Sequence, residues 1–400
     1  MLSIPNVEVL GKKAMVEAPF PAIKSLITSP SLREEENVSG IASVVSDALL
    51  LFNDRREIDF KHLRVAARDK DNNIKRIFNS ADSAINLWRL LPWAHIVHIN
   101  TDMTSKSILR DSYLLTYCYR KRPIVLQVHG GKYLDILPNA LLRSLVKRMI
   151  RLSNRVLFLS EKERRTFISV HELQTQDHIS VLPNFVTPLD EDALSHSLAS
   201  RSTSEKLRIV FVGRLEYMKG LTIIVEACSK LPQICSMLEM DVYGTGSLRD
   251  WFCSRMTELL GSNFRYRGVV SRSQVRQSLP QYNLILLPSL FGEGLPMALL
   301  EGMAAGCVPF ASALASVPTL VQPDVTGVLL EPGSADDLAN KLTWAVRSRG
   351  QLARISHSAA NHIRSTYSPK DFKRSLVAIY RHETACNLME CIKTHEGAPG

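Results

Sequence analysis

YNLILLPSLFGEGLPMALLEGMAAGCVPFAS, residues 282–312, reads as strand, loop, helix and strand in about thirty positions. YNLILLPS is short, apolar and suited to a buried strand. The loop SLFGEG follows, and Pro296 suits the first helical turn, where its missing N–H costs nothing. CVPFAS is a second short apolar run. A strand, a crossover helix and a strand form the repeating unit of a parallel sheet covered on both faces. Inside this unit stand two glutamates eight positions apart, Glu293 before the helix and Glu301 within it. A cap role accounts for the first at most. The second lies in an apolar run, where a carboxylate needs a partner.

The same alternation extends both ways. Upstream come LRIVFVG (207–213), MLEMDVYG (237–244) and FRYRGVV (264–270); downstream comes GVLLEP (327–332). An earlier set comprises AIKSLITS (22–29), LRVAAR (63–68), HIVHIN (95–100), IVLQVHG (124–130), RVLFLS (155–160) and ISVLPN (179–184). Between the sets, FVTPLDEDALSHSLASRSTSEK is polar, serine-rich and without a strand pattern, and reads as a linker. The organisation expected is therefore α/β: a domain over 1–185, a linker over 186–206, a second domain over 207–368, a helix over 369–388 packing back across the domains, and a tail over 389–400. Two doubly wound domains leave a cleft between the carboxyl ends of their sheets, where open α/β sheets bind ligands.

Bulk properties narrow the class. Four hundred residues exceed one ordinary core, and 45% apolar with 22% charged residues is a globular composition. Seven scattered cysteines without a C-x-x-C pair suggest neither a disulfide framework nor a zinc site, and fit a reducing, cytoplasmic setting. MLSIPNVEVLGKKAMVEAPF lacks the apolar core of a signal peptide, and VSGIASVVSDALLLF is too short for a span and carries Asp47. The net charge of +10 suits phosphorylated ligands or an anionic membrane. Nucleic acid is not expected, because no zinc finger, RNA-binding aromatic signature or basic tail accompanies the charge.

Charges and glycines mark the second domain's strand ends. Arg214 and Lys219 follow LRIVFVG and could clamp a diphosphate, Arg as a fork and Lys as a point charge; the pair also fits two solvated surface charges. Gly244 and Gly246 in YGTGSL allow a close backbone approach or a plain turn. The free N–H groups near Gly294, Leu295 and Met297 make an anion site at a helix start. A nucleotide diphosphate-sugar matches this layout, with diphosphate at the helix start and hydroxyl-bearing ends reaching Glu293 and Glu301. Asp69-Lys70-Asp71 has the form of a metal-binding D-x-D but reads as a solvated loop outside the second domain.

FVGRLEYMKG, VYGTGS, FRYRGVVSRSQV, LLPSLFGEGLPMALLEGMAAGCVPF and TGVLLEPGSADDLANKL, in that order over 207–345, resemble the retaining glycosyltransferases of family 4, with their E-x7-E motif and GT-B fold, of the bacterial surface-polysaccharide type. In the first domain NVSGIASVV (37–45) is similar to the family's glycine-containing loop, with Gly40 alone where many members have two or more glycines, and QVHGG (127–131) is similar to the loop carrying an active-site histidine. The resemblance implies two Rossmann-like domains facing across a cleft. It implies that Arg214 and Lys219 neutralise the donor diphosphate, that backbone N–H groups of Gly294 and Leu295 hold phosphate oxygens, and that Gly40 and Gly244 line the donor. Glu301 would accept from the ribose, Glu293 would bind the hexose, and His129 would sit across the cleft; His95 and His98 read as structural. No metal and no cofactor beyond the nucleotide-sugar co-substrate is implied. The acceptor would be a saccharide or a polyprenyl-linked sugar, with peripheral association at an anionic membrane through the basic stretch NALLRSLVKRMIRLSNR (139–155). Two other readings stand beside this one: a nucleotide-sugar epimerase on the same fold, and a non-catalytic nucleotide-sugar-binding protein.

Overall fold

The structure, a computed structural model, describes residues 21–33, 40–65, 73–131, 133–134, 136–137, 139–174, 177–202, 204–291 and 293–396. Among the described residues twelve strands form two sheets. The first contains β1 (Ile23–Ser29), β2 (Ile58–Arg64), β3 (Ile96–Thr101), β4 (Ile124–Val128), β5 (Arg155–Phe158) and β6 (Ile179–Val181), in the order β2-β1-β3-β4-β5-β6. The second contains β7 (Leu207–Val212), β8 (Leu238–Tyr243), β9 (Phe264–Gly268), β10 (Leu284–Leu287), β11 (Val308–Ser312) and β12 (Val328–Leu330), in the order β12-β11-β10-β7-β8-β9. The pairings between neighbouring strands are parallel, as expected when each strand is followed by a crossover and buried on both faces.

Strand order reverses between β1 and β3 in the first sheet and between β7 and β10 in the second. At such a reversal the following helices leave to opposite sides and a crevice opens at the carboxyl end. The loops after β3, β4, β7 and β10 border these crevices and carry Asp102, His129, Arg214, Lys219 and Glu293, while Asn100 stands near the carboxyl end of β3 itself. Core packing holds the crevice walls: Phe211, Leu221, Ile224, Phe252 and Phe310 are fully buried around β7.

Three features differ from the sequence reading. Strand β2 begins at Ile58, five residues before the expected LRVAAR. Residues Glu191–Ser202 of the expected linker are helical. Asp190 starts this helix by accepting from the Ala193 N–H at 2.7 Å, and Arg201, 4% exposed, donates to the carbonyls of Tyr282, Ala305 and Gly306. That buried guanidinium ties the connection beneath the amino ends of β10 and β11. The final helix runs from Pro369 to Glu396, beyond the expected end. The chain crosses back where the Val186 N–H donates to the Tyr367 carbonyl at 3.1 Å, and Phe372, Leu376 and Tyr380 then pack on the first sheet. Asp69-Lys70-Asp71 and the N-terminal twenty residues lie outside the described residues.

Candidate functional site

Backbone contacts fix the loop after β7. Its Gly213 N–H donates to the Tyr243 carbonyl at 3.1 Å and its Leu215 N–H to the Thr245 carbonyl at 2.9 Å. Gly244 has φ +127°, and a Cβ there would stand 1.9 Å from the Gly213 oxygen. Its glycine is required by this close approach of two protein loops. Gly220, with φ +72°, ends the turn that carries Lys219, and a Cβ there would meet the Pro288 oxygen at 1.8 Å. The loop after β7 is thereby seated on the loop after β10, a tie strengthened by the Leu290 N–H donating to the Met218 carbonyl at 2.9 Å.

This seating brings Lys219 to Glu293. The ammonium lies 2.5 Å from Glu293 Oε1, and the Ser289 hydroxyl donates to the same oxygen at 2.5 Å. Glu293 is 7% exposed, so the pair is largely withdrawn from solvent screening. Arg214, on the same loop, is exposed and meets Met218 Sδ at 3.6 Å. Pro296 sits at the cap rather than in the first turn, with φ −71° and ψ 118°, and the helix spans Met297–Ala304. Leu295 is buried just ahead of it.

Glu301 has the partners that its apolar setting demands. Arg272 donates to its Oε1 from Nε at 2.6 Å, and Arg276 Nε donates to the same oxygen at 3.1 Å. Both arginines lie on the helix Arg272–Ser278, four positions apart and so on one face. Each also pairs with Asp47 Oδ2 at 2.8 Å, and Arg272 Nη1 donates to the Ser43 carbonyl at 2.8 Å. Ser43 and Asp47 belong to the first-domain helix Gly40–Leu51. Gly40 is the exposed first residue of that helix, and a Cβ there would meet nothing within 4 Å. Among the described residues no close approach requires its glycine.

His129 stands just past the end of β4. Asn100 Nδ2 donates to the Thr28 carbonyl at 2.8 Å, which turns Asn100 Oδ1 toward His129 Nε2 at 2.6 Å. An amide oxygen only accepts, so Nε2 carries the proton and Nδ1 keeps its lone pair. Burial pushes the His129 pKa down to about 4, with the Asp102 charge acting in the opposite direction, so the imidazole is neutral at pH 7. The next residue, Gly130, has φ +84°, and a Cβ on it would stand 2.9 Å from the Gly294 Cα. The His129 and Glu293 loops thus meet, glycine against glycine. A third contact across the cleft joins Ser316, after β11, to Ser160 at 2.7 Å and to Glu163 at 2.6 Å. By contrast His98 is buried against Tyr380, its Nδ1 2.6 Å from the phenol oxygen, and His95 Nδ1 accepts from the Lys24 N–H at 3.2 Å. Both serve the packing of the first domain.

The structure therefore seats the backbone of the His129–Gly130 loop against that of Glu293 and Gly294, pairs Lys219 with Glu293, and holds Glu301 within a charge cluster spanning the domains. Ser289, Asn100, Gly130 and Gly220 were not legible as site residues. Arg272, Arg276 and Asp47 each left a trace in the sequence, the arginines in their four-residue spacing and Asp47 as the one acid in an apolar run.

Residues 196–362 match the family described as Glycosyl transferases group 1. The amylovoran biosynthesis glycosyltransferase AmsK of Erwinia amylovora is 28% identical over 181 residues, covering 44% of this chain and 44% of that protein. The putative colanic acid biosynthesis glycosyltransferase WcaL of Escherichia coli is 28% identical over 192 residues, covering 45% of this chain and 46% of that protein. The matched stretches thus span about half the length of these curated relatives. Among solved structures, HepE of Anabaena in complex with UDP and glucose aligns with a TM-score of 0.67 at 15% identity, over 90% of this chain and 100% of that one. Sucrose-phosphate synthase from Thermosynechococcus elongatus aligns with a TM-score of 0.72 at 14% identity, over 91% of this chain and 100% of that one. These likenesses establish the fold: two Rossmann-like domains in the GT-B arrangement.

Proposed function

We propose that this chain, whose residues 196–362 form a group 1 glycosyl transferase domain, moves a hexosyl group from a nucleotide-diphosphate sugar to a hydroxyl of a saccharide acceptor in polysaccharide or glycolipid synthesis. The observation that carries this reading is the Lys219–Glu293–Ser289 group at the β7/β10 crevice, facing a neutral His129 across a glycine contact. UDP and glucose in the complex of the structurally similar HepE, and the polysaccharide pathways named for AmsK and WcaL, support the substrate class.

The difficult step is departure of the nucleoside diphosphate while positive charge develops at the anomeric carbon. Arg214, exposed beside the crevice, and Lys219, held by Glu293, supply cations for the leaving phosphates, and the start of the helix Met297–Ala304, with Gly294 and Leu295 ahead of it, supplies N–H groups. Lys219 pairs with Glu293, so in this reading the donor phosphates meet an ammonium already positioned by a carboxylate. Glu293 then accepts from the hexose hydroxyls near the reacting carbon, and Glu301 from the ribose. In our reading the acceptor attacks on the face from which the diphosphate leaves. The acceptor oxygen bonds to the anomeric carbon, the carbon–phosphate oxygen bond breaks, the acceptor proton passes to that departing oxygen, and configuration is retained. In this reading the two cations and the helix start take the charge role that a metal takes elsewhere, so it includes no metal, and it keeps the retaining, family 4 assignment as part of the proposal.

Incubation with UDP-, GDP- and ADP-sugars and saccharide acceptors tests the proposal. Transfer that falls roughly 10²-fold or more in Glu293→Ala and Lys219→Ala is expected. A wild-type protein that interconverts a nucleotide sugar without acceptor would instead identify an epimerase, and full activity of Lys219→Ala would end the diphosphate assignment.

Among the described residues no helix is long and apolar enough to cross a membrane. A peripheral approach to a polyprenyl-linked acceptor on the cytoplasmic face is supported by a mixed surface on the first domain. Ile85, Trp88 and Tyr113 are exposed there at 57–67%, and the helix Ala140–Leu152 exposes Arg143, Arg148 and Arg151. Aromatic anchors beside cations suit an anionic lipid surface. Failure to co-sediment with phosphatidylglycerol vesicles at low salt would remove this part of the proposal.

A further inference from the structure

We infer that Arg272 and Arg276 are positioning residues that latch the two domains together through Asp47, and that this latch holds Glu301 while it stabilises the closed cleft. The inference rests on the glycosyltransferase reading for its link to catalysis and on geometry alone for the latch.

Two cations and two anions meet in one cluster. Arg272 and Arg276 share Glu301 Oε1 on their own domain and Asp47 Oδ2 on the other. Arg272, Asp47 and Glu301 side chains are only 16, 10 and 5% exposed, so these contacts are weakly screened by salt. Removing one partner strands a charge that water reaches poorly, whereas the complete set is neutral. The Arg272 bond to the Ser43 carbonyl adds a directional tie to the backbone of the Gly40–Leu51 helix.

Position makes the cluster more than a surface tie. It bridges the domains at Glu301, one turn into the helix Met297–Ala304 and eight positions from Glu293, while the Gly130–Gly294 contact marks the point where the His129 and Glu293 loops converge. Opening the cleft separates Asp47 from the arginines and His129 from Glu293 together. The arginines remain on Glu301 in either state, because all three belong to the second domain. The carboxylate assigned to the ribose is thus kept in place, and the energy of the Asp47 contacts is gained only on closure. Closure is the arrangement in which both candidate catalytic groups share one site, so the latch acts on the populated fraction of the reactive state.

The first arm of the test uses no donor. Small-angle X-ray scattering compares the wild type, Asp47→Asn, Arg276→Gln and the charge swap Asp47→Arg with Arg276→Asp. Both single variants should show a larger radius of gyration and the swap a return toward the wild-type value. Unchanged radii in single variants that retain a cooperative thermal transition would overturn the latch. Asp47→Glu keeps the charge and should stay closed, which guards against a variant that merely fails to fold. The second arm measures turnover on whichever nucleotide sugar the wild type uses. For Asp47→Asn, kcat should fall roughly tenfold or more, while the donor KM stays within about threefold; the swap should regain kcat. An increase in KM at unchanged kcat would overturn the positioning role. A wild type inactive on every nucleotide sugar would defeat the transferase reading, and the scattering arm would still decide the latch.

Discussion

Gly130 and Gly294 show what single residues do in this cleft. Each occupies the space in which the other would need a Cβ, and Gly130 adds a left-handed φ of +84°. An L-residue pays of order 1–3 kcal/mol for such a conformation, and here its methyl group would also press on a backbone atom across the domain boundary. Gly130→Ala should therefore lower turnover more than it lowers stability, because the chain relieves the clash by opening the cleft. Parallel kinetic and urea-unfolding measurements check this; normal turnover in the variant would show that His129 and Glu293 need not converge. At this scale the sequence disclosed residue types but not partners. Arg214, Lys219, Glu293 and Glu301 stood out because charges at strand ends and in apolar runs need explaining. What they touch depends on long-range packing: Arg272 and Glu301 are 29 positions apart, and Asp47 lies in the other domain. The diphosphate clamp read from Arg214 and Lys219 appears as one exposed arginine and one lysine already paired with Glu293.

The elements were legible where burial on both faces imposed an apolar run. Strands β3, β4, β10 and β11 are buried throughout and begin within two residues of their expected starts. Strand β2 lies at the sheet edge and buries only part of its length, so IDFKHLR keeps polar residues and the overlapping, more apolar LRVAAR carries the stronger strand pattern. The connecting helix Glu191–Ser202 has no clear apolar stripe to mark it in the sequence: Leu194 is buried, and Arg201 with its carbonyl partners anchors the other end. The final helix is the element on which a prediction turns. Tyr380 is fully buried, its hydroxyl lying 2.6 Å from His98 Nδ1 and accepting from the Ser25 hydroxyl at 3.2 Å. Tyr380→Phe keeps the ring packing and strips both partners, so it should cost about 1–3 kcal/mol in chemical denaturation. A cost near zero would mean that the helix is held on the first sheet by apolar packing alone.

Across the whole molecule, contacts that span the cleft include the glycine pair, the arginine latch and the Ser316 bridge. The last contains a group that titrates near neutrality. Burial pushes the Glu163 carboxyl up to about 7, with the Ser316 hydroxyl and the Leu159 N–H acting in the opposite direction. In the unfolded chain the same group titrates near its ordinary value of 4.5. The fold therefore favours the protonated form. The stability linked to this proton is fully present below pH 4.5, is lost as pH rises to about 7, and changes no further above it. His129 works in the opposite sense: its depressed pKa contributes stability that is present above pH 6.5 and lost as pH falls through about 4. Comparing wild type with Glu163→Gln separates the two, because both proteins contain His129. The amide is neutral at every pH and loses one acceptor toward the Leu159 N–H, which is a constant offset. The stability difference should thus move in the variant's favour between pH 4.5 and 7, by at most about 3 kcal/mol, and level off beyond. A difference that stays flat over this window would mean that Glu163 is solvated in the folded protein and that the Ser316 bridge does not hold the domains together.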